Sequence, residues 1–232
     1  FALRLLGASA LASAIGALIF AFALPATGRI GSHVQLMWKA GLPLAIAYGV
    51  LFLQTGSWRK FLIAFAWLTW LFYCGIYMGV FAIVLVVCLV IAFLWNGVRR
   101  EGFGAIWARF TDPIRTSGPS AWLGFALVFG AMLAALVLLF YPYLQVSRLY
   151  GYGGRPWWEI SMMLPRVTSY LTTINSYIWH DLSQWISGHL PIRHEHKMFP
   201  GLIALLLGLA AALFYSRKTL GENFALLRGT LV

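Results

Sequence analysis

The sequence predicts an all-α fold: a polytopic transmembrane helical bundle of about six spans, with one large external loop that contains amphipathic helices. Hydrophobic residues make up 61% of the chain and charged residues only 10%, and the mean hydropathy is +0.82. A water-soluble domain needs a more polar surface than this composition supplies. The apolar residues also fall into separate runs, divided by short groups of cations. Lipid is therefore the expected solvent for most of the chain.

Six apolar runs are long enough, or nearly so, to cross a bilayer as helices, which takes about 20 residues. They cover residues 5–25, 41–55, 61–75, 77–97, 120–141 and 200–215. A signal peptide is the alternative for the first run, but its length favours a retained helix. The chain begins with Phe1 rather than Met, which suggests a processed chain or an internal fragment of a longer protein.

The third and fourth runs need a break between them, because residues 61–97 contain no charged residue. A single helix of this length would measure about 55 Å, against a hydrocarbon layer of about 30 Å. The break is predicted at residues 73–79, where Gly75 and Gly79 weaken a helix and two tyrosines suit the membrane interface.

With six spans, three groups of cations fall on one side of the membrane, and the excess of Lys and Arg in short loops assigns that side to the cytoplasm. The groups are Arg59 and Lys60; Arg99, Arg100, Arg109 and Arg115; and Arg217, Lys218 and Arg228. The predicted organisation is helices one to five in 1–141, with a cytoplasmic amphipathic link at 98–119; an external loop in 142–199; and the last helix with a cytoplasmic tail in 200–232.

The formal net charge of +11 does not indicate nucleic-acid binding, because the cations are spread between apolar segments, where they are expected to hold anionic membrane lipids.

The external loop carries the residues best suited to chemistry, and amphipathic helices are predicted in it around 156–166 and 176–187. Arg155 and Glu159 are spaced for an ion pair, which is either purely structural or a device in which Arg155 binds a phosphate and Glu159 orients it. His194, Glu195 and His196 end the loop. Two histidines two apart converge on a metal only in an extended segment, and no second cluster of ligands is close in sequence, so no metal is predicted.

Other classes of function are disfavoured by what the sequence lacks. It has no nucleotide-binding glycine pattern and no serine-nucleophile motif, and no cofactor is predicted. The predicted spans carry no acid or base in their middle, which argues against an ion-driven transporter.

Several motifs in the loop resemble a known superfamily. The tract reads Tyr141-Pro142-Tyr143; Gly154-Arg155-Pro156-Trp157-Trp158-Glu159; Pro165 through Ser169-Tyr170-Leu171; and His194-Glu195 through Phe199-Pro200-Gly201. It resembles large bacterial membrane proteins of the GT-C glycosyltransferase superfamily, and a tyrosine-glycine helix start at Tyr77 through Phe81 is also similar. The likeness covers roughly residues 41–215.

The resemblance implies a multi-pass protein of the bacterial cytoplasmic (inner) membrane that transfers a sugar from a polyprenyl-phosphate donor on the external face. The substrate-binding candidates are then Arg155, Glu159, His194, Glu195 and His196. GT-C enzymes usually place the catalytic acid in the first external loop, but residues 26–40 contain no Asp or Glu, so the catalytic residue stays unknown. That acid lies upstream of Phe1, or the chemistry has been lost. The alternative function is a non-catalytic helical subunit of a membrane protein assembly.

Overall fold

The computed structural model of the protein is helical throughout the residues that it describes, and no β-strand occurs among them. The described residues are 1–22, 38–151, 154–173, 176–193 and 195–214. The prediction of an all-α fold is confirmed for these residues. They fall into two compact units: the first comprises Phe1–Ala14 and Trp38–Tyr143, and the second comprises residues 15–22 and Leu144–Phe214.

In chain order the helices are α1 (Ala2–Leu5), α2 (Ala10–Phe22), α3 (Gly41–Thr55), α4 (Trp58–Cys74), α5 (Ile76–Glu101), α6 (Phe103–Thr116) and α7 (Pro119–Tyr150). Only one or two residues separate successive helices from α3 to α7. The second unit continues with α8 (Trp157–Met163), a 3₁₀ helix at Val167–Leu171, α9 (His180–Ser187) and α10 (Leu202–Phe214).

The predicted break in the long apolar stretch is confirmed at Gly75. Helix α4 ends at Cys74 and α5 begins at Ile76, so Gly75 alone separates the two helices with extended backbone. The packing explains the second glycine as well, because a Cβ atom on Gly79 would overlap the ring of the buried Phe72. These glycines allow α4 and α5 to fold back against each other at close range.

The first apolar run differs from its prediction as one helix. Helices α1 and α2 are separated at Gly7, which has a φ of 90°, and Ser9 then begins the second helix by accepting a hydrogen bond from the amide of Ala12 at 3.2 Å. A left-handed glycine followed by a capping serine ends one helix and starts the next, whatever the hydropathy of the run. Residues 23–37, which include most of the predicted first external loop, lie outside the described residues.

Two helices are long and apolar enough to cross a membrane, judged by length and composition: α5 with 26 residues and α7 with 32 residues. Helices α3 and α4 have 15 and 17 residues, or about 22 and 26 Å, which is short of the hydrocarbon thickness of about 30 Å. None of the residues in α7 is buried. The long apolar surface of this helix is therefore open to lipid or to another protein.

Helix α7 extends beyond the predicted start of the external loop at 142. Pro142 lies inside it, and the helix continues to Tyr150. A proline removes one helical hydrogen bond but does not by itself end a membrane helix. At the other end of the predicted loop, Gly201 has a φ of 103° and α10 begins only at Leu202. The predicted tail at 216–232 lies outside the described residues.

The predicted amphipathic link is the helix α6. Its residue Ile106 is buried in a core cluster with Leu53 of α3 and Phe93 of α5. Phe103 and Trp107, which lie on the adjoining part of the helix surface, are exposed and stack on each other with ring centroids 6.0 Å apart. The apolar face of α6 is thus wider than the contact it makes within the first unit, as expected for a helix lying at a membrane surface.

Candidate functional site

The described residues between 154 and 200, here named the loop module, belong to the second unit and contain most of the predicted site residues. Arg155 and Glu159 form the predicted ion pair, with 3.2 Å between the Arg155 Nη1 and the Glu159 Oε1 atoms. Glu159 lies in the first turn of α8, where the helix dipole favours a negative charge. Arg155 precedes that helix rather than sharing its face, since Pro156 is the residue at the helix N-cap.

The guanidinium of Arg155 is held by two contacts within the protein, but the side chain remains largely exposed. Its Nη1 atom also lies 3.2 Å from the Sδ of Met163, at the far end of α8. The side chain is nevertheless 57% exposed, whereas that of Glu159 is 30% exposed. Both contacts use Nη1, and in a side chain this exposed the other guanidinium donors are available to an anion.

His196, another of the substrate-binding candidates, is also in the loop module and is fully buried. Its Nε2 lies 2.9 Å from the carbonyl oxygen of Met162, and its Nδ1 lies 2.8 Å from the Ser169 hydroxyl. A carbonyl can only accept, so Nε2 carries the proton and Nδ1 accepts from Ser169. The Ser169 oxygen in turn accepts a hydrogen bond from the Arg166 amide at 2.9 Å. A neutral His196 is thus fully satisfied, and both of its nitrogens are occupied within the protein.

Backbone hydrogen bonds join the 3₁₀ helix to the end of the loop module. The amide of Met198 donates to the carbonyl of Ser169 at 3.2 Å, and the amide of Phe199 donates to the carbonyl of Thr172 at 2.9 Å. The Thr172 hydroxyl donates to the carbonyl of His196. Because His196 also holds the last turn of α8 through Met162, one buried imidazole links three segments of the module.

Helix α9 joins the same core through a serine. The Ser183 hydroxyl donates to the carbonyl of Thr173 at 3.1 Å and accepts from the amide of Thr173 at 2.9 Å. Just before α9, the Trp179 ring stacks on Phe199 at 4.9 Å, and its indole nitrogen donates to the carbonyl of Leu171 at 2.9 Å. The second predicted amphipathic helix is therefore shorter than expected and begins at His180.

The loop module buries several polar side chains together with Ile186, Leu190 and Phe199, and it exposes many large apolar ones. Its buried polar side chains are Ser169, Thr172, Thr173, Ser183, Ser187 and His196. Its exposed large apolar side chains include Trp157, Trp158, Val167, Tyr170, Tyr177, Ile178 and Trp185. A module in water would bury many of these rings, so the exposed set indicates a surface that meets lipid or a partner.

The remaining candidates are placed as follows. Glu195 is half-buried, and His194 lies outside the described residues. Asp181 is fully exposed, and its Oδ1 lies 3.1 Å from the Nδ1 of His180. Across the part of the chain that the structure describes, no group of three His, Cys, Asp or Glu residues is arranged to hold a metal ion.

Sequence reasoning missed the structural role of Ser169 and Thr172. Both residues stand in a short segment rich in hydroxyl groups, Thr168 through Thr173, which was available as a signal for a polar core. Their partners are more than 20 residues away, so the sequence did not identify them.

An apolar cleft of about 500 Å³ lies in the same unit. Its walls come from α2, from the start of α10 and from the stacked Trp179 and Phe199 rings, and Ser176 contributes one polar group. A cleft of this size and lining can hold part of an isoprenoid or acyl chain.

Comparisons with known proteins add no relative. No protein-family model, no curated protein and no solved structure matches this chain. The resemblance to the GT-C superfamily therefore rests on the sequence motifs alone.

Proposed function

We propose that the protein is a multi-pass protein of the bacterial inner membrane, with six spans and with the loop module on the external face. The two long apolar helices α5 and α7 and the composition support insertion into a membrane. The charge pattern supports the orientation, because Arg59, Arg99 and Arg115 then lie on the cytoplasmic side. The exposed rings of the loop module fit a position at the external interface, where tryptophan and tyrosine are favoured.

Within that topology, we propose a GT-C-like glycosyltransferase that uses a sugar on a polyprenyl phosphate. The observation that carries the proposal is Arg155, a half-exposed guanidinium that Glu159 orients on a module with a hydrogen-bonded interior. The second unit also supplies the apolar cleft for a prenyl chain. The segment from Arg148 to Lys197 contains five cationic and three acidic side chains. This surplus of two positive charges favours binding of a lipid phosphate.

A non-catalytic helical subunit of a membrane assembly is the second candidate. Helix α7 favours it, because this helix of 32 residues has no buried residue, and the face that does not contact α4 is available to another membrane protein. Such a subunit does not need a phosphate site at Arg155. Binding of a polyprenyl phosphate therefore discriminates between the two functions.

The topology predicts opposite labelling of two single cysteines. Ser117 follows α6 and His189 follows α9, and both residues are exposed. With Cys74 and Cys88 replaced by serine, we expect Ser117→Cys to react with an impermeant thiol reagent only from the cytoplasmic side, and His189→Cys only from the external side. Modification of both from one side would contradict the six-span arrangement.

The donor site predicts salt-sensitive binding of undecaprenyl phosphate to the purified protein, followed by tryptophan fluorescence. Arg155→Lys should weaken binding by about fivefold to tenfold, because an ammonium cannot present the planar fork to a phosphate. Raising the salt concentration should weaken binding to the unchanged protein, since the attraction is electrostatic.

Arg193→Lys is the matched control, because Arg193 is an exposed cation of the same module and its side chain makes no hydrogen bond or ion pair with the described residues. Its binding should stay within about twofold of the unchanged protein. Equal affinity of the Arg155→Lys variant, or binding that salt does not affect, would remove Arg155 from the phosphate site.

A further inference from the structure

A second cavity lies in the first unit, where the α3–α4 turn meets the end of α6 and the start of α7. It has a volume of about 470 Å³. The turn contributes Thr55, Ser57, Trp58 and Arg59, α4 contributes Leu62, and the residues Pro113, Ser117, Ala121, Trp122 and Phe125 complete the lining. All of these residues lie in the first unit.

Hydrogen bonds between the helices hold the walls of this cavity in place. The indole nitrogen of Trp58 donates to the carbonyl of Phe110 at 3.3 Å, and that of Trp122 donates to the carbonyl of Ile114 at 3.2 Å. The two indole rings also contact each other edge-on, with centroids 5.9 Å apart. The cavity is thus bounded by aromatic groups whose orientation is already fixed.

Some of the hydrogen-bond donors that line the cavity are used within the protein, and the others are available to an anion. The hydroxyl of Thr55 donates to the carbonyl of Leu51, and that of Ser117 donates to the carbonyl of Pro113. Neither the Ser57 hydroxyl nor the Arg59 guanidinium makes a hydrogen bond or ion pair within the part of the chain that the structure describes. An arginine fork beside a hydroxyl donor is suited to a phosphate group.

The surrounding charge has the same sign as the Arg59 side chain. The first turn of α4 contains Arg59 and Lys60 and no acidic residue, although the N-terminus of a helix favours negative charge. Lys60 also lies close to the cavity, since its Nζ donates to the Thr55 hydroxyl at 3.2 Å. An anion in the cavity would offset both the side-chain charges and the helix dipole.

The lining of the cavity changes from polar to apolar on both of its sides. On α4, Arg59 is followed one turn later by Leu62, and on the other side Ser117 precedes Ala121, Trp122 and Phe125 of α7. Phe125 continues into a row of rings with Phe61 and Phe129. A soluble phosphate matches only the polar end, whereas a lipid matches both ends.

We propose that this cavity binds an anionic glycerophospholipid, with the phosphate at Arg59 and Ser57 and an acyl chain along Leu62 and Phe125. Phe103 and Trp107 support a lipid ligand, because they give α6, whose other end lines the cavity, an exposed apolar surface suited to a membrane. The site depends on membrane insertion but not on the proposed glycosyltransferase, and it uses none of the residues of the loop module.

The test compares three probes on the full chain in detergent: phosphatidylglycerol, zwitterionic phosphatidylcholine and soluble glycerol 3-phosphate. Native mass spectrometry measures the retained lipid, and thermal unfolding measures stabilisation. We expect phosphatidylglycerol to bind best and Arg59→Gln to weaken its binding about tenfold, as the loss of one charge-assisted contact predicts. Arg100→Gln, which removes an exposed cation outside the cavity, should change binding by less than about twofold.

A second variant tests the apolar half of the site. Ala121→Phe fills the cavity beside Phe125 without changing any charge, and it should also reduce retention of phosphatidylglycerol. Unchanged binding in both Arg59→Gln and Ala121→Phe would overturn the proposal. Glycerol 3-phosphate that stabilises the protein as well as phosphatidylglycerol does would assign the cavity to a soluble phosphate and overturn the lipid assignment.

Discussion

Replacing His196 by alanine is expected to lower the folding stability of the loop module by about 3–5 kcal/mol. The substitution leaves the Ser169 hydroxyl and the Met162 carbonyl without the buried imidazole that bonds to both, and it opens a cavity in place of a fully buried ring. The expected observable is faster amide hydrogen exchange in the segments 167–172 and 196–199, which this side chain joins.

Two partial replacements and one control make the test specific. His196→Asn keeps a polar group near the Nδ1 position and His196→Gln keeps one near Nε2, so each should lose less stability than His196→Ala. His189→Ala removes an exposed histidine of the same module and should change stability by less than about 0.5 kcal/mol. Equal hydrogen exchange in the His196→Ala and His189→Ala variants would show that the buried imidazole does not hold the module together.

The local features of this fold were predictable because they depend on neighbours in sequence. The break at Gly75 follows from the length limit on an apolar helix and from the tendency of glycine to end one. The helix α6 follows from the spacing of its apolar residues, and the contact between Arg155 and Glu159 follows from their closeness in sequence, although Arg155 precedes α8 rather than lying on its face. Each of these inferences uses information within a few helical turns.

The features that the sequence did not predict depend on contacts between distant residues. His196 was a substrate-binding candidate because it stands in a charged segment, and its burial could not be foreseen because its partners Met162 and Ser169 are 34 and 27 residues away. Once those partners are present, a neutral imidazole is satisfied in the interior and burial becomes favourable. Nothing in the spacing of His194, Glu195 and His196 distinguishes a buried histidine from one that binds a substrate.

Helix α9 shows that hydropathy also does not determine which side chains of a helix are buried. Its pattern predicts an amphipathic helix that sits half-buried on the membrane surface, and in the structure Ser183, Ile186 and Ser187 are buried while Trp185 is exposed. Burial of Ser183 is favourable because its hydroxyl accepts a hydrogen bond from the amide of Thr173 and donates one to the carbonyl of the same residue. The exposed tryptophan is then available to the membrane interface, which hydropathy alone cannot separate from a protein core.

Gly56→Ala is expected to have a similarly large effect in the first unit, with a loss of about 2–5 kcal/mol of stability. Gly56 ends α3 in the left-handed region, with a φ of 66°, where an alanine costs about 1–2 kcal/mol. A Cβ atom there would also overlap the backbone carbonyl oxygen of Arg109, and a backbone atom cannot move aside as a flexible side chain can. Relief requires a shift of α6 away from the α3–α4 turn, which loosens the burial of Ile106.

Two further glycines separate these contributions when thermal unfolding is measured in one detergent. Gly102 also has a positive φ, of 84°, with a ψ of 156°, a region almost restricted to glycine, and a Cβ atom there meets nothing within 4 Å, so Gly102→Ala should show only a backbone cost of about 1–3 kcal/mol. Gly49 lies within α3 with open space around it, and Gly49→Ala should stabilise the protein by about 0.5–1 kcal/mol. If Gly56→Ala costs no more than about 2 kcal/mol, which its left-handed backbone alone explains, the close approach of α6 to the turn is not what requires glycine. A larger loss at Gly56 would identify the contact between the turn and the Arg109 backbone as the constraint, and the same variant should then weaken phosphatidylglycerol binding in the adjacent cavity.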